Sequence, residues 1–396
     1  VTSSLFTRHF ILVSAITFVT FFAAFQLFPT VPLRLLELGA TIAESGRFMT
    51  AFTAGSALGA LFTGPFGDRV GQRRMVVSCA VGFGLFLGAY GLLHARWAFY
   101  VLAFPHGVVW SGLLTATMAT LGHVLPADRR ADGMSLYGLA SPGGVIFGPV
   151  VGLAVYARLG FPAMTAILAV LFGVLGVLSL SLPPDRANLE HRPTFSWPDR
   201  TLLAPCLVFF ATALGYGALG TYTAQEAIKQ GFPPLFGVLP TDAAFLSCMA
   251  IGMVVMRIFM TRAGFGARPT RLLPGMLLAA GAGLALLALM PGGASRHALS
   301  ALLYGGGYSM VHTLLNAHVL EVTHPDRRGA AFGTTLFSFD SGIGIGSLLI
   351  GGVIGWGCRH LGAHGYRLGW AVAALFALAA LPLSRRLLRE SADLAG

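Results

Sequence analysis

Along the chain, apolar blocks of roughly 18 to 25 residues alternate with short polar connectors, and that length crosses hydrocarbon at about 1.5 Å of helical rise per residue. The blocks fall at 10–33, 45–66, 74–94, 97–123, 133–157 and 161–182, then at 201–224, 241–261, 271–291, 297–321, 330–356 and 367–384. The longest polar interval, Leu182 to Arg200, separates the sixth block from the seventh and holds Pro183, Pro184, Pro193 and Pro198. The pattern predicts an all-α membrane protein of twelve transmembrane helices in two six-helix repeats around a central cavity. The repeats cover 1–182 and 201–396, with a flexible linker over 183–200. A barrel would show short alternating segments instead, and only helices or closed barrels satisfy every backbone hydrogen bond in a bilayer.

Composition agrees with lipid as the solvent: 55% of residues are hydrophobic and 10% charged, with a mean hydropathy of +0.75. The net charge of +11 would suggest nucleic acid in a water-soluble protein. Here the basic residues sit at block ends and read as topology signals, so no nucleic-acid partner is expected. With both termini cytoplasmic, Arg34, Arg47, Arg96, Arg158, Lys229, Arg296, Arg359 and Arg367 fall outside, and the other 18 of the 26 basic residues fall inside. The positive-inside rule therefore favours that orientation and a cytoplasmic linker. The first block follows Arg8 and His9 and exceeds a signal-peptide core, so it is expected to be a retained helix. Cys79, Cys206, Cys248 and Cys358 are scattered and lack C-x-x-C spacing, which implies neither a disulfide framework nor a zinc site.

The two halves repeat. A shift of 198 residues places Asp128-Arg129-Arg130 on Asp326-Arg327-Arg328, Gly107 on Gly305, Trp110-Ser111 on Tyr308-Ser309 and Gly148 on Gly346. Two halves in parallel orientation are the internal repeat of a rocking-bundle carrier, whose substrate site is expected between them near the bilayer midplane.

After the second block the chain reads Gly64-Pro65-Phe66-Gly67-Asp68-Arg69-Val70-Gly71-Gln72-Arg73-Arg74. Gly71 allows a positive φ, Asp68 can sit at a helix N-terminus, and the arginines can pair with neighbouring acids. This run resembles the G-x-x-x-D-R-x-G-R-R signature of the major facilitator superfamily, between helices two and three. The resemblance implies a conformational-gating role for Gly64, Asp68, Arg69, Gly71, Arg73 and Arg74. The second-half copy, Arg262 to Arg268, lacks the aspartate. Block five carries Gly144-x-x-x-Gly148-Pro149-x-x-Gly152, similar to a pattern of the exporting, proton-antiport branches of the superfamily. That places Gly148 and Pro149 among the gating residues, while a tightly packed, kinked helix would need the same glycines.

Asp340 lies deep in block eleven and is the one acid expected inside a span. A carboxylate there should face the protein interior or a wet cavity, and either titrate or hold a structural pair. Tyr304, Tyr308, His312 and Asn316 recur at steps of four in block ten, a polar and aromatic stripe on one helix face. Block four, its repeat partner, offers His106, Trp110 and Thr117. The resemblance implies that helices one, four, seven and ten line the cavity, which adds Gln26 of block one. It also leaves Ala103 where many exporters of the superfamily carry an arginine. Asp340, His312 and His106 are thus the candidates for proton coupling. Arg257 could serve another acid or snorkel to the interface. Met249, Met253, Met256 and Met260 share a face of block eight; thioethers suit Cu(I), but such a face is more often adaptable packing, and no metal site is assigned.

No P-loop, HExxH or G-x-S-x-G occurs, so neither ATP-driven pumping nor an intramembrane enzyme is expected, and no cofactor is implied. The expected function is secondary active transport by alternating access, proton-coupled and exporting a small amphiphilic compound. The alternative is import of a metal ion, metal complex or small metabolite. The expected partners are the small-molecule substrate, protons and the bilayer. The chain is expected to act as a monomer in a bacterial inner membrane.

Overall fold

The structure, a computed structural model, describes residues 6–126, 133, 136–184, 202–262, 272–323, 328–385 and 387. Its long helices are α1 (Arg8–Glu37), α2 (Arg47–Val70), α3 (Gln72–Leu92) and α4 (Arg96–Val124), followed by a 40-residue run, Ala140–Ser179. In that run Gly160 has φ 82° and ψ 168°, which breaks the helix into α5 (140–159) and α6 (161–179). Then come α7 (Leu203–Lys229), α8 (Thr241–Arg262), α9 (Leu273–Leu289), α10 (Ala294–Val322), α11 (Arg328–Leu361) and α12 (His364–Ala379). The described residues thus carry the twelve helices that the apolar pattern predicts, and eight of the helical runs are long and apolar enough to cross a membrane on those grounds alone.

Two boundaries differ from expectation in an informative way. The run from Gly64 is not an open loop. α2 continues to Val70 and α3 begins at Gln72, with Gly71 alone between them at φ 98°. An L side chain is strained at such a φ, so glycine is what lets two helices meet at a single residue. In the second half, its first helix, α7, runs to Lys229, five residues beyond the expected end at 224.

By its contacts the chain divides into two compact units, one of Val1–Thr30 with Ala54–Phe195, the other of Val31–Thr53 with Ser196–Gly396. Of the expected linker 183–200, residues 185–200 lie outside the described residues, as do Asp128-Arg129-Arg130 and Asp326-Arg327 of the repeated loops. Residues 31–53 go with the second unit because they pack on α11 and α7. The hydroxyl of Thr50 donates to the Gly344 carbonyl at 2.7 Å, and Gln225 Nε2 donates to Ser45 Oγ at 3.0 Å.

The repeat is visible in how bare backbones meet. A Cβ on Gly55 of α2 would strike the Phe104 carbonyl of α4; a Cβ on Gly252 of α8 would strike the Leu302 carbonyl of α10. Phe104 and Leu302 are related by the same 198-residue shift. Lipid supplies no hydrophobic drive between helices, so association depends on this close van der Waals fit. The first unit buries an aromatic core in which Phe83 and Phe172 stack at 4.4 Å and Tyr90 and Phe99 at 5.8 Å. The second buries an aliphatic one around Val208, Leu277, Val311 and Leu315.

Candidate functional site

The stripe on α10 is real and acquires partners from α7 and α11. Tyr304 and Tyr308 stack at 5.4 Å, and Tyr308 stacks on Tyr216 of α7 at 4.8 Å with ring planes 14° apart. Phe339 of α11 closes the group, with its ring 6.3 Å from Tyr216 and 5.3 Å from His312. Tyr304 donates to the Thr212 carbonyl, and the Tyr308 hydroxyl is buried without a hydrogen-bond partner. One helical turn on, Asn316 Nδ2 meets His312 Nδ1 at 3.0 Å, both residues half-buried. Asp340 follows Phe339 directly, is buried, and lies within electrostatic reach of Tyr308. Arg257 is within electrostatic reach of His312. The structure therefore gathers Tyr304, Tyr308, His312, Asn316 and Asp340 into one neighbourhood of the second unit. Tyr216 belongs to it but has no signal in the sequence beyond its place on helix seven.

The first-unit candidates sit differently. His106 is fully buried between α3 and α4, where its Nδ1 is 3.2 Å from the Tyr90 hydroxyl and its ring lies edge-on to Phe83 at 4.3 Å. Trp110 packs edge-on against Phe21 of α1 at 5.2 Å. Gln26 is buried against Gly152, and its Nε2 lacks a hydrogen-bond partner. Gly144, Gly148 and Gly152 form one edge of α5 against α1. A Cβ would come within 2.6 Å of the Phe18 carbonyl at Gly144 and within 2.8 Å of the Phe22 carbonyl at Gly148. Pro149, beside them, stays helical.

Around Gly71, Gly64 faces Thr115 and Gly67 faces the Gln72 amide. The Asp68 side chain lies outside the described part of the chain, while its backbone is in the last turn of α2. Arg69 lies in the last turn of α2, Arg73 and Arg74 in the first turn of α3, and Arg73 donates to the carbonyl of Leu180, the residue that follows α6. In the second-half copy, residues 263–271 lie outside the described residues. On the methionine face of α8, Met256 and Met260 join the aliphatic core, and Gly305 lies against the Met249 backbone. All four cysteines are free thiols.

One site was not legible at all. Glu226, in the last turn of α7, is fully buried, so Asp340 is not the one acid inside a span. Arg296, read from sequence as an outer-loop cation, is buried in the first turn of α10 and pairs with Glu226 at 2.5 Å. Arg367, assigned to the same loops, instead donates to the Ala288, Leu289 and Met290 carbonyls and caps the C-terminal end of α9. A span drawn two residues longer, and one drawn one residue earlier, would have put Glu226 and Arg296 inside helices. An acid and a base at facing helix ends then become candidates for a pair.

The sequence matches the Major Facilitator Superfamily over residues 13–347, and the chain belongs to that family of membrane transporters. The staphylopine export protein of Staphylococcus aureus is 22% identical over 81% of this chain and 83% of that protein. The gentisate transporter of Corynebacterium glutamicum is 26% identical over 85% of this chain and 78% of that protein. With several other curated relatives the match spans only about half their length, from 48% to 56%. A solved structure of the nucleoside transporter NupG superposes on 96% of this chain and 99% of its own with a TM-score of 0.72 at 15% identity, a likeness of fold.

Proposed function

We propose that the protein is a proton-coupled secondary transporter that works by alternating access and exports a small amphiphilic compound. The observation that carries this reading is Asp340, a buried carboxylate within electrostatic reach of Tyr308, whose ring belongs to a cluster with Tyr216, Tyr304 and Phe339. Aromatic faces bind apolar and cationic groups, and a carboxylate within the membrane can exchange a proton for a cationic or proton-bearing ligand. Tyr304, Tyr308, His312 and Asn316 would contact the substrate, with Gln26, His106 and Trp110 serving the first unit. His312 and His106 are the secondary candidates for the proton. Gly64, Asp68, Arg69, Gly71, Arg73, Arg74, Gly148 and Pro149 would control the conformational cycle. Export is supported by the glycine edge of α5 and by the relative named for staphylopine export. Uptake of a small metabolite or metal complex is the second reading, with the gentisate transporter as its support. The termini are placed in the cytoplasm on the division of basic residues; reporter fusions at Gly396 and within 183–200 test this, and a periplasmic signal from either overturns it.

Asp340→Asn tests the mechanism in one reconstituted preparation. Uphill transport driven by a pH gradient should vanish while equilibrium exchange of labelled substrate continues, since exchange needs the conformational cycle but no net proton movement. Intact pH-driven accumulation would remove Asp340 from coupling. A joint loss of exchange, folding yield and thermal stability would make it structural.

A further inference from the structure

The second unit contains a buried ionic cluster that the aromatic neighbourhood does not use. Glu226 accepts from Arg296 Nη2 at 2.5 Å and Gln230 Nε2 at 3.2 Å through Oε1, and from Trp370 Nε1 at 2.8 Å through Oε2. Each carboxylate oxygen has two lone-pair positions. Three of the four are therefore filled from α7's own C-terminal residues, α10 and α12, and the fourth, on Oε2, is open. Facing it is the ring of His297, whose Nε2 is 3.7 Å away, beyond a hydrogen bond. His297 is fully buried; the Gly293 and Thr223 backbone interacts with its ring, and no side chain completes a hydrogen bond to either nitrogen.

We propose that His297 and Glu226 form a proton-binding site, separate from Asp340, in which the imidazole takes a proton from water and closes onto the vacant lone pair of Glu226 Oε2. The neutral imidazole has one N–H; the arriving proton occupies the other ring nitrogen, both become donors, and no other bond changes. In the present arrangement Glu226 and Arg296 cancel, and the cluster is neutral. The protonated cluster carries one positive charge, so it suits a state in which water reaches this end of the unit, and the neutral one suits closure. Arg296 is anchored to the Leu287 carbonyl at 2.8 Å and lies over the Phe232 ring at 5.5 Å. Phe232 and Phe245 merely flank His297 edge-on, at 5.2 and 5.8 Å.

The other titratable groups near the site come from every packed element. α7 contributes Tyr222 and Lys229; α11 contributes Cys358 and α12 Tyr366, all coupled electrostatically to one another or to Glu226. On α8, Asp242 is turned to its own helix start, where it accepts from the Ala243 amide at 2.9 Å. α9 has no titratable side chain among residues 273–289. Of these groups, Glu226 is the one that presents an open acceptor to His297.

Nitrogen-15 spectra of histidine-labelled, full-length protein in lipid nanodiscs test the proposal. One imidazole signal, absent from His297→Gln, should convert from neutral to imidazolium as the pH falls from about 8 to about 5. In Glu226→Gln that signal should stay neutral throughout, because its carboxylate partner is gone. Should His297→Gln fail to fold, the indole N–H of Trp370, which donates to the same oxygen, reports the event in the unmodified protein and should shift over the same pH range. A His297 ring that stays neutral, a Trp370 signal insensitive to pH, or a titration that survives in Glu226→Gln would each make the cluster a structural staple. Any part this site plays in transport rests on the coupled-carrier reading. The titration does not, and it should persist unchanged in Asp340→Asn, so failure of one leaves the other standing.

Discussion

Among its described buried residues the unit built from 1–30 and 54–195 holds hydroxyls, two glutamines and His106, but no charged side chain, whereas the unit of 31–53 and 196–396 buries Glu226, Arg296 and Asp340. Their backbones are packed by matching contacts, as Gly55 on Phe104 and Gly252 on Leu302 show. The two units thus share positions where helices touch while their buried chemistry differs. Close backbone contact tolerates only glycine or very small residues, so it is hard to vary. A buried charge requires a partner on another helix and can arise or vanish only as a set. The unit with the charges is therefore where proton traffic is expected, and the uncharged unit supplies shape.

The largest test of this contrast is to break the ion pair. Glu226→Leu leaves Arg296 buried and unpaired and should cost about 3–5 kcal/mol, while Glu226→Leu with Arg296→Met should recover most of that loss. Thermal unfolding of the purified variants measures both, and equal stability of the single and double variants would remove the pair from the energetics. Next comes the shared glycine packing. Gly148→Leu drives a side chain into the Phe22 carbonyl and should cost about 1–3 kcal/mol, as should Gly346→Leu against Leu214 in the other unit. Gly122→Ala, which meets nothing within 4 Å, should stay within about 0.5 kcal/mol. A tolerant Gly148 beside an intolerant Gly346 would mean that the units are not packed alike.

A smaller effect on stability, though not on rate, is expected at Asp68. Asp68→Asn should slow turnover with substrate affinity unchanged, since the role proposed for the helix junction at Gly71 is in the conformational cycle and not in binding. Parallel losses in affinity and turnover would give Asp68 another role. The smallest stability change belongs to Tyr308→Phe, which removes a hydroxyl that has no hydrogen-bond partner and should move the melting temperature little. If that hydroxyl awaits a ligand, substrate affinity should fall in the same variant; unchanged affinity would return Tyr308 to packing.

The apolar blocks made the helices legible, because a span must be about 20 residues long and mostly apolar wherever it lies in the sequence. The Gly71 junction was legible for the same kind of reason: a φ of 98° needs glycine. The α10 stripe could be read from its spacing, yet His106, chosen by the same reasoning, lies in an aromatic core hydrogen-bonded to Tyr90. Periodicity says which residues share a helix face, and it does not say which neighbour that face meets.

By itself, then, the sequence determined the membrane class, the twelve helices, the repeat and the family signature, all of which depend on composition and local spacing. Tertiary structure alone decided that Glu226, Arg296, His297 and Trp370 meet, across 145 positions of chain from Glu226 to Trp370 counted inclusively. It also decided that Tyr216 joins the α10 stripe and that Arg367 caps α9. The physical reason is that a polar group at the end of a span reads as a loop residue until its partner is known. Whether it is solvated or buried depends on a side chain from another helix, and no local pattern encodes that pairing.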